Sequence, residues 1–345
     1  MITFHNPFHQ GHAPVHEFFR GERVPCFEKP ARVDYVEGAL RVRGHGLMAP
    51  DVDSAPVLSQ VHAPRYLAFL QTAWQHWLAL DPANAGVQPF PSVWPVRTLR
   101  SDLEPENFVA RLGLYSMDNG TPMASGTWAA AKAGADAAAS AATLVAQGAR
   151  AAFCCTRPPG HHAGPDFMGG YCFLNNAAVA AQVLRNQGAQ RVALLDVDYH
   201  HGNGTQSIFY DRADVLFISI HGDPRTEYPF YLGHADETGV GEGAGFNLNL
   251  PLPAGTSATT WFDALESACA RIASQGADAL VVSLGLDTFE GDPISKFALA
   301  SADFTRVGER LARAGLPTVF VLEGGYAAAE LGTNAVNVLD GFEQV

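Results

Sequence analysis

Five short apolar runs constrain the fold of this 345-residue chain more than any other feature. Ala151–Thr156, Arg191–Val197, Val215–Ile220, Ala279–Leu284 and Pro317–Leu322 alternate with helical patterns near Leu174–Gln187, Thr260–Gln275 and Ser301–Ala314. Strands that are apolar on both faces must be covered on both, which parallel sheets flanked by helices achieve. The expected class is α/β: a single domain over residues 1–345, built on a parallel sheet with helices on both faces. Ligands in such sheets gather beyond the carboxyl ends of the strands, so the residues directly after each run matter. The runs lead in turn into His161 and His162, into DVDYHH (196–201), into Ser219 and His221, into Asp287, and into Glu323 and Tyr326. Chance would not deliver five sets of polar groups to one sheet edge.

The rest of the chain adds helices and limits. After Ser125–Gly126 an alanine-rich helix runs to about Gln147; Lys132, Asp136 and Arg150 in the alanine-rich stretch argue against a membrane span. Ala31–Val42 reads as a helix, Pro56–Val61 as a short strand or turn, and Pro64–Leu80 as an amphipathic helix with Tyr66, Leu67, Leu70, Trp74 and Trp77 near one face. Residues 1–50 resist assignment, and His5, His9, His12 and His16 read as surface histidines. Between Asp81 and Thr121 prolines and glycines break regular structure, and a loop of that length usually serves function or an interface. The opening MITFHNPFHQ has neither a basic region nor an apolar core, so a cytoplasmic protein is expected. Cysteines 26, 154, 155, 172 and 269 include no CxxC pair and are expected to be reduced, partly buried thiols. A net charge of −13 repels nucleic-acid phosphates and suits a cationic small molecule.

Asp198, His200 and Asp287 make a set of two oxygens and one nitrogen that leaves a coordination position open, as a catalytic metal site requires. Two carboxylates neutralise a divalent cation, so a bound water is acidified less and a general base is needed. His161 and His162 are candidates, with Asp196 and Asn203 to fix their tautomers. Tyr326, on a glycine turn, can aim a phenol at an oxygen that becomes negative. Amide hydrolysis is the reaction these roles serve. Singly, each feature has a plainer reading: a solvated turn for DVDYH, a helix N-cap for Asp287, a core tyrosine for LEGGY.

Together, RPPGHHA (157–163), GGYCFLNNAA (169–178), LDVDYHHGNGTQ (195–206), SLGLDTFEGDP (283–293) and LEGGY (322–326) resemble the signatures of the histone deacetylase and acetylpolyamine amidohydrolase superfamily, of arginase–deacetylase fold. HGDPRTEYPFYLGHADETG (221–239) and GTWAAAKAGADAA (126–138) resemble most its bacterial acetylpolyamine amidohydrolase branch. The resemblance implies zinc on Asp198, His200 and Asp287, with iron(II) as the alternative ion. It makes His162 the main general base and acid, His161 an electrostatic partner bonded to Asp196, and Tyr326 the clamp on the carbonyl. It implies a structural potassium ion at Ser219 and the backbone of Asp196, Asp198, His200 and Ile220, with a second near Phe209 in some relatives. Tyr171, Gly170 and Tyr228 would line the substrate channel. Some relatives have an aspartate in place of Asn203, so His162 should be less basic here.

The 81–121 segment resembles an insertion that makes a homodimer contact and narrows the active-site mouth. One of its carboxylates, Asp102, Glu104, Glu106 or Asp118, is expected to meet the distal ammonium of acetylputrescine, acetylcadaverine or acetylspermidine, with Glu106 and Asp118 as the substrate-binding candidates. Neither nucleic acid nor membrane is an expected partner. The alternative substrate is acetyl-lysine in a peptide or protein. A two-manganese ureohydrolase would need an acid two residues after Asp287, where Phe289 stands. A non-catalytic binder would be expected to lose a ligand or the tyrosine, and none is lost.

Overall fold

The computed structural model describes residues 1–345. Ten strands run in chain order: Ile2–His5 (β1), His16–Phe19 (β2), Glu22–Pro25 (β3), Gly46–Met48 (β4), Ala151–Cys155 (β5), Val192–Asp196 (β6), Val215–Gly222 (β7), Asn247–Leu252 (β8), Ala279–Leu284 (β9) and Thr318–Leu322 (β10). Eight form one sheet in the order β4-β1-β5-β10-β9-β6-β7-β8, with every pairing parallel; β2 and β3 form a separate antiparallel hairpin. The α/β expectation therefore holds, and the five runs read from the sequence are five adjacent strands.

Period-two alternation divides the core. Val192 and Leu194 of β6 join Ala152, Val281 and Val319 on one face. Ala193 and Leu195 join Phe153, Val282 and Phe320 on the other. Thr127–Ala146 (here the alanine helix) and Asn176–Asn186 cover the first face, and their alanines let both backbones lie close to the sheet and to each other. Ala31–Val42, Ala258–Gln275, Ser301–Ala312 and Ala328–Glu343 cover the second. No helix is long and apolar enough to cross a membrane. All five cysteines are free, four of them buried.

Three expectations need correction. Ala55–Val61 is a helix, neither strand nor turn: Pro56 sits in its first turn, where proline is tolerated, and Leu58 and Val61 face the core one turn apart. His9 and His12 are buried, not on the surface; the His12 ring lies against Thr127 at the start of the alanine helix, with Nδ1 2.9 Å from Oγ1. The 81–121 segment also contains a helix, Phe108–Leu114, which Asn107 caps by accepting the Ala110 N–H.

Candidate active site

The carboxyl ends of β5, β10, β9 and β6, four neighbours in the sheet, supply almost all of the site. Asp196 is the last residue of β6, and the chain then turns irregularly through Asp198 and His200. Asp287 comes after β9, the two histidines after β5, and Tyr326 after β10. The Asp196 carboxylate faces His161 with one oxygen and accepts the Asp198 N–H with the other, at 3.1 Å.

The donor atoms of Asp198, His200 and Asp287 lie within 4.8 Å of one another. His200 Nδ1 is 3.0 Å from Asp287 Oδ2 and 3.3 Å from Asp198 Oδ1. Both acids are buried and no lysine or arginine pairs with either, so a proton on His200 is the nearest compensating charge. Burial opposes protonation of His200, yet the two carboxylates raise its pKa to about 10. Two oxygens and a nitrogen converging on one point, with a shortage of positive charge, fit a divalent cation. The surroundings keep the space open: a Cβ on Gly324 would collide with Asp198 Oδ2.

The histidine pair is oriented from behind. His161 Nδ1–H donates to Asp196 (3.0 Å), and His162 Nδ1–H donates to Oδ1 of Asn203 (2.7 Å). Their ring centroids are 4.0 Å apart, with the planes tilted by 41°. Burial disfavours charge on both, but Asp198 and Asp196 raise His161 to about 10, whereas burial and the neighbouring His161 and His200 hold His162 well below its ordinary value. The two imidazoles are thus biased in opposite directions, His161 toward the charged form and His162 toward the neutral one. Glu323, at the end of β10, accepts the backbone N–H groups of Gly160 and His161 and so ties the two strand ends together.

Tyr326 rides on a turn held by its backbone. Gly324 N–H donates to Asp198 (2.8 Å), Tyr326 N–H to Asp292 (2.7 Å), and Arg32 donates to the carbonyls of Glu323 and Gly325. The Arg32 guanidinium lies over the Tyr326 ring at 4.7 Å. Burial pushes the phenol well above its usual pKa, so it remains a hydrogen-bond donor.

His161, His162, Asp198, His200, Asn203 and Tyr326 line a cavity of about 800 Å³. Gly170, Tyr171 and Tyr228 line it, as expected from the sequence. Gly170 has φ +51, and a Cβ there would strike the His162 ring. Asp118 also lines it, accepting the Tyr228 hydroxyl at 2.6 Å and the Gly170 N–H at 2.8 Å. Glu106 does not: it is exposed and outside the lining, because the segment before the 108–114 helix runs over the surface. Asp102 is exposed and pairs with Arg100, while Glu104 accepts the Tyr115 hydroxyl. Sequence reasoning missed Glu17, which comes from the β2–β3 hairpin and accepts the Tyr171 hydroxyl at 2.8 Å. Burial raises its pKa to about 7. No local pattern marked it. Asp292 was also missed, although its position five residues after Asp287 in GLDTFEGD was a usable signal. Ser219, expected at a potassium site, is buried beside Asp196 in register, with Oγ 2.9 Å from His221 Nδ1.

The histone deacetylase domain matches residues 26–342. The chain is 53% identical over 346 residues to acetylpolyamine amidohydrolase 2 of Pseudomonas aeruginosa, covering 100% of this chain and 99% of the relative. It is 46% identical to the acetylpolyamine amidohydrolase of Mycoplana ramosa, covering 94% of each. The crystal structure of acetylpolyamine aminohydrolase from Burkholderia pseudomallei superposes with a TM-score of 0.93 at 40% identity, covering 99% of this chain and 98% of that one.

Proposed function

Since this chain belongs to the histone deacetylase family and is a hydrolytic deacetylase, we propose that it removes acetyl groups from acetylated polyamines, as the names of its relatives suggest. The observation that carries the reading is the convergence of Asp198, His200 and Asp287 beside two histidines held by different partners, the carboxylate of Asp196 and the amide of Asn203, and beside a tyrosine that lines the same cavity. Asp198, His200 and Asp287 would hold zinc, or iron(II). When bound, such a cation acidifies a water molecule and polarises the amide carbonyl.

The protein groups supply the rest. His162, neutral and with Nδ1–H engaged by Asn203, offers Nε2 to take the proton of the attacking water and return it to the leaving amine. His161, hydrogen-bonded to Asp196, would stabilise negative charge developing nearby. Tyr326 donates its phenolic hydrogen to the carbonyl oxygen as that atom becomes negative. Tyr171 and Tyr228 flank the alkyl chain of the amine, and Glu17 and Asp118 give the wall the carboxylates that a distal ammonium seeks.

A potassium ion at Ser219 and the backbone of Asp196, Asp198, His200 and Ile220 suits the pairing of β6 with β7. Residues 1–345 would act as one catalytic domain, with residues 81–121 making a homodimer contact through the exposed Val87, Val93, Val96, Leu99 and Leu103. Free, buried cysteines suit a reducing cytoplasm. The test is a hydrolysis panel of acetylputrescine, acetylcadaverine, acetylspermidine, acetyl-lysine peptides and an acetylated structured protein, with metal content measured on the same preparation. Faster cleavage of acetyl-lysine in a structured protein than of any acetylpolyamine would replace the polyamine reading with a protein deacetylase.

A further inference from the structure

Asp292 belongs neither to the metal-binding set nor to the histidine pair, yet it lies near Asp198, His200 and Asp287 with only 8% of its surface exposed. No lysine, arginine or histidine forms an ion pair with it. Burial disfavours its charge, as does the nearby Asp198. A carboxylate is a costly occupant of such a place unless its acceptor oxygens are used. Both are: Oδ1 accepts the N–H of Ile294 at 3.0 Å, and Oδ2 accepts the N–H of Tyr326 at 2.7 Å.

The second bond has a consequence for the reaction. Residues 323–327 lie in neither strand nor helix, so sheet pairing does not hold the tyrosine backbone. Gly324 is anchored by Asp198, and the carbonyls on either side of it are gripped by Arg32. The amide of Tyr326 itself is held by Asp292. The same aspartate turns the chain into Pro293, Ile294 and Ser295, which line the cavity. We propose that Asp292 is a positioning residue for deacetylation, fixing the backbone of Tyr326 so that the phenol stays aimed at the substrate carbonyl and in register with the cavity wall. This rests on the role proposed above for Tyr326.

A shift of about 1 Å in a positioned group can cost on the order of a hundredfold in rate. Asp292→Ala should therefore lower kcat by about 10- to 100-fold, with KM and metal content within about twofold of wild type. Amide hydrogen exchange in residues 323–327 should accelerate. The losses from Asp292→Ala and Tyr326→Phe should be non-additive, the double variant turning over about as slowly as Tyr326→Phe alone. Asp292→Asn retains the shape but has one acceptor oxygen for two N–H donors; it should fall between wild type and alanine, and it carries the comparison if the alanine variant does not fold. Wild-type kcat in Asp292→Ala, loss of metal together with activity, unchanged exchange, or fully additive losses would each overturn the proposal. Wild-type turnover in Tyr326→Phe would instead remove the role of Tyr326 on which it rests.

Discussion

The Nδ1 of His162 lies 2.7 Å from Oδ1 of Asn203, a neutral partner, while the adjacent His161 rests on the carboxylate of Asp196. An amide oxygen can only accept, so this contact fixes the tautomer of His162 with Nε2 free, and does so without adding charge. Asn203→Asp should raise the pKa of His162, since an opposite charge at this range shifts a group by roughly one to three units. A base must be deprotonated to act, so the acid limb of the kcat/KM profile should move to higher pH by a comparable amount. An unmoved acid limb would mean that His162 is not the base.

Asp198→Ala and Asp287→Ala each leave two of three donors. Both variants should lose most bound metal and nearly all activity. Elemental analysis finding one equivalent of metal in both, with normal turnover, would contradict the assigned set.

Tyr326→Phe removes a single donor to the oxygen that becomes negative. Turnover should fall by about 10²–10³ while metal content stays intact. His162→Ala should be at least as damaging with a poor amine leaving group, where proton return limits the rate.

Glu17 connects the cavity to pH. Burial raises its pKa to about 7 from an ordinary value of 4.5, so it is largely neutral in the fold at pH 6 and largely ionised at pH 8. With the folded-state value above the unfolded one, its contribution to stability is complete below about pH 4.5 and is lost as pH rises through about 7. A cation in the cavity offsets that loss. Putrescine should therefore raise the melting temperature more at pH 8 than at pH 6, and the KM for acetylputrescine should fall over the same interval relative to a neutral amide of equal length. A charge-assisted contact of about 1–3 kcal/mol makes the preference at least roughly fivefold. Glu17→Gln should abolish both effects. If it leaves them unchanged, another carboxylate, Asp118 first, meets the ammonium.

The sequence alone determined the parallel sheet and the residues at its active edge, because both are written locally. A buried parallel strand is a continuous apolar run, and β6 and β9 announce themselves within six residues. Polar groups directly after such runs can go only to the sheet edge, so Asp198, His200, Asp287, the histidine pair and Tyr326 were legible before any contact was known. Tertiary structure decided whatever depends on distant segments meeting. The β2–β3 hairpin brings Glu17 against Tyr171, 154 residues away, and Asp292 reaches the amide of Tyr326 across 34 residues. It also buried His12 against Thr127 and left Glu106 on the surface, although neither residue differs in kind from its sequence neighbours. The physical reason is that side-chain periodicity encodes which face of an element is buried, whereas the partner on that face is set by how the elements pack.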